Sequence, residues 1–441
     1  MYETHTEIVF DDFVNLEQTS NLNRIYPSST YDFGDFWPHI ENYLEINKQL
    51  TNNKQIIIKH PLECHIPIHK HKYIFDYIHE YCDNSGWNKN KFKFITGNWR
   101  IFESYSVWKT NNNYLGEEIQ LECDFELAKW YAPLMMDTPN KYGIVPELDY
   151  CDQLFTEDKP WTFNCLNRGP QVHRVNFVQE LWRQGLLQDN CVTFNYDPNS
   201  QSQQIESFTG HLHPEFLELL PIEYDKPQDQ SALQFASATV MPQAYHQIDD
   251  FEHSRIPNWF EKFYKNSWLT VTTESYTSLH VVAQCFAPDC KSLIDPVNMM
   301  CLANNHPWEQ YDHHNKTQNP LHTIQKNFNQ HRLGFVTEKT FRNFLNLHPT
   351  IWVASPGTTL ILKQLGFETF SDYWDESYDL VTNPIDRQQT ITELLKQLSS
   401  YSQTEWRKLQ KSMTDTLYHN QNIMLTMTDT PKISNIDHQL T

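Results

Sequence analysis

Glycine is scarce in this chain, with only 11 among 441 residues. Neither a GxGxxG turn nor a GxxxxGK[ST] loop occurs, so the common sequence signatures of dinucleotide and nucleoside triphosphate sites are missing. Those signatures bring backbone N–H groups close to phosphates. A phosphate site in this protein must therefore be built from side chains and the ends of helices.

Cysteine pairs and zinc-type motifs are missing too. The nine cysteines are an odd number without any CxxC pair, which indicates reduced thiols in a cytosolic setting. His65, His69 and His71 fit no zinc spacing, and Asp312-His313-His314 lies in a segment without periodicity, so we interpret both groups as solvated or core side chains. We therefore expect no zinc site, and nothing in the sequence calls for another cofactor.

Long apolar runs and an excess of positive charge are also lacking. No run approaches the roughly 18 apolar residues of a membrane span, and the N-terminus lacks the pattern of a signal peptide. These features predict a soluble protein of the cytoplasm, or of the host cytoplasm if the protein is viral. The net charge of −21 disfavours nucleic acid or an anionic membrane as the main partner, but it leaves room for a local basic cleft.

The length predicts two or three domains, because single hydrophobic cores rarely grow this large. We assign an N-terminal α/β domain to residues 1–155 and a C-terminal Rossmann-like domain to residues 156–425. The second domain carries a polar insertion at about 197–255. A flexible tail is expected over 426–441.

Regular structure in the first domain is predicted from β-branched residues and helical spacing. Gln55 to Lys59 and Lys93 to Thr96 are predicted strands, and Lys72 to Tyr81 is a predicted helix. In the second domain a strand at Trp161 to Leu166, a helix at Val172 to Leu187 and a strand at Cys191 to Phe194 form a βαβ unit.

Two more strands are predicted in the second domain, at Leu269 to Thr273 and at Pro349 to Ala354. After the latter the chain turns, and Ser355 or Thr358 is expected to cap a helix that ends at Gly366. Phe367 to Phe370 is expected to begin a further strand. This places the loop at 355–358 at the carboxyl end of a parallel strand, where open α/β sheets bind ligands.

Polar side chains follow three of these strands or begin the neighbouring helix. If the strands share one parallel sheet, these side chains converge on a single cationic crevice. Arg and Lys beside a helix N-terminus suit a diphosphate, and a carboxylate suits ribose or sugar hydroxyls. The crevice therefore predicts a nucleoside diphosphate sugar as the ligand. The candidate donor-binding residues are Asn167, Arg168, Arg174, Glu274, Thr337, Glu338, Lys339 and Arg342.

The order of these segments resembles the donor-binding domain of the α-1,3-fucosyltransferase-like glycosyltransferases. It is more similar still to uncharacterised glycosyltransferase-like proteins of bacteria and large DNA viruses or phages. The resemblance covers roughly residues 160–400. It is carried by Thr337 to Thr340, Pro349 to Gly357, Leu365 to Phe370 and Asp375 to Asp379.

The resemblance implies a GT-B-type transferase of two Rossmann-like domains without an essential metal. In this interpretation Arg174 and Lys339 hold the diphosphate, and Glu274 and Glu338 bind the ribose or the sugar. The family's Glu-Asn pair is Glu274-Ser275 here, which leaves the identity of the sugar open. The conspicuous run Asp375 to Asp379 is predicted to order a loop rather than to take part in catalysis.

The catalytic base is expected in the first domain, to which the resemblance does not extend. Glu63 and Glu103 are the candidates, since each follows a predicted strand. The predicted function is transfer of a sugar from a nucleoside diphosphate sugar to a glycan or another hydroxyl acceptor, with nucleic acid retained only as an acceptor through a modified base. The alternative is a non-enzymatic or virion-associated binding protein that keeps the fold. Inversion and retention both stay open.

Overall fold

The computed structural model divides the chain into two compact units. The first comprises residues 1–127, 315–335 and 430–441, and the second comprises 128–314 and 336–429. The first boundary thus precedes the predicted one at 155. The residues that the structure describes are 8–10, 33–46, 48, 55–60, 68–69, 72–125, 156–167, 172–194, 213–217, 219, 263–274, 294–295, 300–301, 334, 336–427 and 432–433.

The first unit contains a parallel sheet whose strands follow one another in chain order. Helices lie in the connections between them, as in other α/β folds with parallel strands. The strands are β1 (Ile8–Phe10), β2 (Ile56–His60), β3 (Phe92–Thr96) and β4 (Gln120–Asp124), and the helices are α1 (Phe33–Ile46), α2 (Ile74–Ser85) and α3 (Ile101–Asn111).

The chain returns to this sheet near its C-terminus. Lys432–Ile433 pairs antiparallel with β4, with Lys432 opposite Asp124 and Ile433 opposite Cys123. The sequence predicts a flexible tail over 426–441, because chain ends are usually poorly ordered. Two residues are enough to add an edge strand, and a segment this short carries no sequence pattern that could be recognised.

The core of the first unit follows from the strand and helix patterns. Ile56 and Phe94 from neighbouring strands are fully or almost fully buried, and so are Phe75 and Ile78 from α2. Apolar residues three apart lie on one face of the helix, which therefore packs on the sheet. The predicted strands and helix of this domain are confirmed with shifts of one to a few residues at their ends.

The second unit contains a four-stranded parallel sheet with the spatial order β8-β7-β5-β6. The chain runs from β5 to its neighbour β6 on one side, and then returns to place β7 on the other side of β5. The sheet therefore reverses its strand order between β5 and β7. The strands are β5 (Trp161–Asn167), β6 (Cys191–Phe194), β7 (Ser267–Thr273) and β8 (Thr350–Val353).

Helices accompany this sheet, and some of them begin with a side chain that caps the first turn. Ser402 and Glu405 form a capping box at one, and Asn383 followed by Pro384 starts another. The helices are α4 (Val172–Arg183), α5 (Glu338–Leu345), α6 (Thr358–Gln364), α7 (Pro384–Ser399), α8 (Gln403–Ser412) and α9 (Thr414–Thr426).

The predicted strand at Phe367 to Phe370 is wrong. Side chains, rather than a neighbouring strand, bind the backbone of this segment: Glu368 N donates to Asn420 Oδ1 at 2.8 Å, and Phe370 N donates to Glu376 Oε1 at 2.9 Å. Phe367 and Phe370 are nonetheless buried. These two phenylalanines are apolar because they pack against the surrounding helices and strand. The sequence alone does not distinguish such packing from the formation of a strand.

Mixed α/β architecture with parallel strands is thus confirmed for both units. Among the described helices, none is both long and apolar enough to cross a membrane.

Candidate functional site

The candidate site lies where β5 and β7 end in the second unit, at the reversal of strand order. In open α/β sheets this position forms a crevice at the carboxyl ends of the strands. Asn167 ends β5 and Glu274 follows β7 directly. Asn167 binds the neighbouring strand rather than pointing to a ligand: its Oδ1 accepts a hydrogen bond of 2.5 Å from Thr273 Oγ1. This hydrogen bond joins the ends of β5 and β7.

His173 connects this edge to two helices. It lies in the first turn of α4, and its Nε2 is 2.8 Å from the backbone oxygen of Glu274. Its own backbone oxygen accepts a hydrogen bond of 2.9 Å from Gln388 Nε2 of α7. The imidazole is therefore bound to the end of β7, while Gln388 of α7 holds the backbone at the start of α4.

Positive charge is concentrated around His173. Its pKa lies well below the ordinary value, first because the ring is buried and then because the charges of Arg174, Lys339 and Arg387 act on it. The hydrogen bond to the Glu274 carbonyl opposes this shift. These three cations come from α4, α5 and α7, so the fold brings together side chains that are far apart in sequence.

Two of the three cations, Arg174 and Lys339, are among the predicted donor-binding residues. Arg174 is almost buried and Lys339 is half-buried. Lys339 Nζ donates to Thr337 Oγ1 at 3.2 Å, which directs the ammonium group back over the start of α5. Both residues thus act on His173 through their charges, and their convergence on one ligand stays a prediction.

Glu274 has a different task from the one predicted for it. Its carboxylate accepts hydrogen bonds from Thr337 N (3.1 Å), Thr337 Oγ1 (2.6 Å) and Thr340 Oγ1 (2.6 Å), and the residue is fully buried. Both carboxylate oxygens are thus occupied by the protein. Glu274 supplies the negative charge at the N-terminus of α5, and it positions Lys339 rather than binding ribose or sugar hydroxyls in this arrangement.

Arg342 contacts a tyrosine next to the sheet. It lies one turn further along α5, and its Nε donates to the hydroxyl of Tyr264 at 2.8 Å. That hydroxyl also donates to Asn343 Oδ1 at 2.9 Å. Tyr264 precedes β7, so Arg342 serves the packing of α5 against the sheet.

The loop at 355–358 is also filled by the protein. Gly357, rather than Ser355 or Thr358, is the first capping position of α6. The carboxylate of Asp379 accepts hydrogen bonds from Thr359 N (2.9 Å) and Thr359 Oγ1 (2.7 Å), and burial raises its pKa. A ligand at this helix end would have to displace a buried carboxylate, so the site lies at β5 and β7 and not here.

The run Asp375 to Asp379 orders its loop, as predicted. Asp375 accepts hydrogen bonds from the backbone and the hydroxyl of Ser377, and Glu376 accepts one from Thr369 Oγ1 at 2.7 Å. Tyr378 is fully buried beneath them. These contacts hold the chain between α6 and α7, and thereby the start of α7 with its arginine.

The remaining predicted residues fall elsewhere or beyond what is described. Glu103 lies in the first turn of α3 in the first unit, where both carboxylate oxygens are 2.9 Å from Arg100 Nη1. Its role as a catalytic base stays a prediction. Glu63, Arg168, His65, His71 and residues 312–314 lie outside the described residues, and so do the side chains of His69 and Glu338.

Sequence reasoning missed His173 and Arg387. His173 stands next to Arg174 in the turn that follows β5, so its position was readable, but nothing marked it as a neighbour of Glu274. Arg387 lies in the first turn of α7, where the helix dipole disfavours a cation. A cation at a helix N-terminus therefore indicates that other groups offset the unfavourable interaction with the dipole. Here Arg387 Nη1 donates to the Val381 backbone oxygen at 2.7 Å, and the charge of Asp379 acts on the arginine.

No family model, no curated protein and no solved structure matches this chain. The fucosyltransferase-like resemblance therefore stays a prediction, and the site is argued from its own geometry.

Proposed function

We propose that this protein is a GT-B-type glycosyltransferase that uses a nucleoside diphosphate sugar, and that its second unit binds the donor. The proposal is supported by the charges of Arg174 and Lys339, which both act on His173 at the reversal of strand order. Ligands of open α/β sheets bind at this position. Two cations of different helices at one crevice suit the two phosphates of such a donor.

The chemistry proposed for this site is stabilisation of a departing diphosphate. As the bond between the anomeric carbon and the phosphate oxygen breaks, negative charge grows on the leaving group. Arg174 and Lys339 would stabilise that charge at a partly desolvated position, where it gains more than in water. No metal is required for this step. The base that deprotonates the acceptor hydroxyl would be supplied from outside the described site, with Glu63 and Glu103 as the candidates.

The sugar acceptor is a glycan or another hydroxyl compound in this proposal. A modified nucleobase is included as an acceptor, but the net charge of −21 opposes strong binding to nucleic acid. Titration with DNA at low salt separates these acceptors: salt-sensitive binding would support the nucleobase, and its absence would remove it.

The test is binding of a panel of uridine, guanosine, adenosine and thymidine diphosphate sugars, measured by calorimetry, followed by assays for release of the nucleoside diphosphate. Lys339→Met should weaken binding about 10- to 100-fold, since a charge-assisted hydrogen bond contributes roughly 1.5–3 kcal/mol. Arg174→Met should do the same.

Lys411→Met is the matched control, because Lys411 is an exposed lysine of α8 in the same unit. It should leave binding unchanged, and thermal unfolding of each variant reports that the fold is kept. A folded wild-type protein that binds none of the donors would refute the proposal. Binding without release or transfer to any acceptor would favour the non-enzymatic alternative.

A further inference from the structure

The orientation of the His173 imidazole is determined by its partner. Nε2 is 2.8 Å from the backbone oxygen of Glu274, and a carbonyl oxygen only accepts hydrogen bonds. Nε2 must therefore carry the hydrogen. In the neutral ring the other nitrogen, Nδ1, then has a lone pair and acts as an acceptor.

The surroundings keep the ring in this neutral form. Burial and the charges of Arg174, Lys339 and Arg387 hold the pKa of His173 well below its ordinary value. The residue is 7% exposed, and Nδ1 has no hydrogen-bond partner among the residues that the structure describes. A single acceptor thus lies within a group of cationic donors.

These features restrict what Nδ1 can bind. A metal cation is disfavoured by the three positive charges around the ring. A fully ionised phosphate oxygen has no hydrogen to donate. Proton abstraction is also disfavoured, because a ring that resists protonation is a weak base. What remains is a hydrogen-bond donor, and on a ligand that carries phosphates the donors close to them are hydroxyl groups.

We propose that His173 determines specificity by accepting, at Nδ1, a hydrogen bond from a ribose or sugar hydroxyl of a ligand whose diphosphate contacts Arg174 and Lys339. This inference rests on the proposed function and names the residue that takes over the hydroxyl-binding role predicted for Glu274. Selection arises because a ligand with a suitably placed hydroxyl gains a hydrogen bond to Nδ1 that the anion alone does not make.

Two substitutions separate the two ring nitrogens. The amide of Gln reaches the position of Nε2, so His173→Gln keeps the contact with the Glu274 carbonyl and removes the acceptor at Nδ1. The amide of Asn reaches the position of Nδ1, so His173→Asn keeps an acceptor there and gives up the contact with Glu274. A purely structural role would make His173→Gln the milder change.

The experiment measures the affinity of the full chain for two probes, inorganic pyrophosphate and the nucleoside diphosphate sugar of the panel that the wild type binds best. For His173→Gln we expect about 10-fold weaker binding of the sugar nucleotide, with pyrophosphate within about twofold of wild type. His173→Asn should retain the preference for the sugar nucleotide. Thermal unfolding midpoints identify any variant that fails to fold.

The outcomes distinguish this inference from the proposed function. If the wild type binds no sugar nucleotide, both fall. If the wild type binds one, and His173→Gln loses affinity for both probes equally or for neither, only the role of His173 is refuted. Deoxy analogues of the bound donor then identify the hydroxyl: its removal should weaken wild-type binding and leave binding by His173→Gln unchanged.

Discussion

Lys159 provides a test of how the second unit is stabilised. It lies just before β5 and is almost completely buried. Its Nζ donates to the backbone oxygen of Ser267 at 3.0 Å and stands 5.0 Å from the centre of the Trp268 ring. His348 Nε2 binds the same carbonyl at 2.9 Å. Burial lowers the pKa of the Lys159 ammonium group to about 7, and the charge of Glu157 only partly opposes this.

The size of the effect on stability follows from the difference between the pKa of Lys159 in the folded chain and its pKa in the unfolded chain. The folded lysine releases its proton near pH 7, whereas the unfolded lysine keeps it up to its ordinary pKa of 10.5. The unfolded state therefore binds more protons in this interval, and stability rises with pH. Each pH unit contributes about 1.4 kcal/mol, so this lysine adds roughly 2–3 kcal/mol to the free energy of unfolding between about pH 7 and about pH 9.

The assay compares wild type with Lys159→Met by chemical denaturation at a series of pH values. Methionine fills similar volume without charge, and the Ser267 carbonyl keeps its bond to His348. The variant should be the more stable protein at pH 7 and below, and the wild type should gain on it steadily up to about pH 9. His348, whose pKa burial and Lys159 lower to about 3, is neutral in the folded protein over this range, and it adds little to the slope because the unfolded histidine has lost most of its proton by pH 7.

Exposed Lys411 again supplies the control, because Lys411→Met should show the same pH dependence as wild type. Curves for wild type and Lys159→Met that run parallel from pH 7 to pH 9 would refute the assignment of a buried lysine with a lowered pKa.

Three further substitutions test the packing around the site and the two units. Thr340→Val keeps the shape of the side chain but removes a hydrogen-bond donor to Glu274, so the free energy of unfolding of the second unit should fall by about 1.5–3 kcal/mol. Hydrogen exchange of the α5 amides measures this change, and unchanged exchange would contradict the role of Glu274. Gly334→Ala would place a Cβ atom 2.1 Å from Trp99 Cε2, so this variant should lower the unfolding midpoint of the first unit in thermal scans, and an unchanged midpoint would show that the close approach is absent. Gly366→Ala should lower the free energy of unfolding by about 1 kcal/mol in denaturant titrations, because a φ of +93° is unfavourable for alanine. The added Cβ atom itself would make only an ordinary contact, so an unchanged free energy would argue against the left-handed conformation.

Local patterns predicted the elements on which the site is built. The apolar strands at 161, 191, 269 and 349 appear within a few residues of their predicted positions because residues buried on both faces leave an unbroken apolar run. The turn at Gly366 was readable because glycine adopts positive φ at low cost. Asn167 and Glu274 stand at the ends of neighbouring strands, since parallel strands end together.

Other features depended on contacts that no local pattern encodes. Phe367 to Phe370 contains strand-forming residues, but Asn420 and Glu376 satisfy its backbone, so no strand forms there. Glu274 was predicted to bind a ligand, yet two threonines of α5 occupy its carboxylate. In each case a distant side chain completes hydrogen bonds that would otherwise have gone to a strand or to a ligand.

The sequence by itself determined the α/β class of this protein, the parallel strands of its second sheet and the position of Arg174 and Lys339 beside the ends of those strands. It did so because burial, periodicity and helix ends are local properties. Only the tertiary structure decided that His173 stands among three cations with one nitrogen on the Glu274 carbonyl. That arrangement needs α4, α5 and α7 to meet at one edge, and the free energy that brings them there comes from packing across the whole unit.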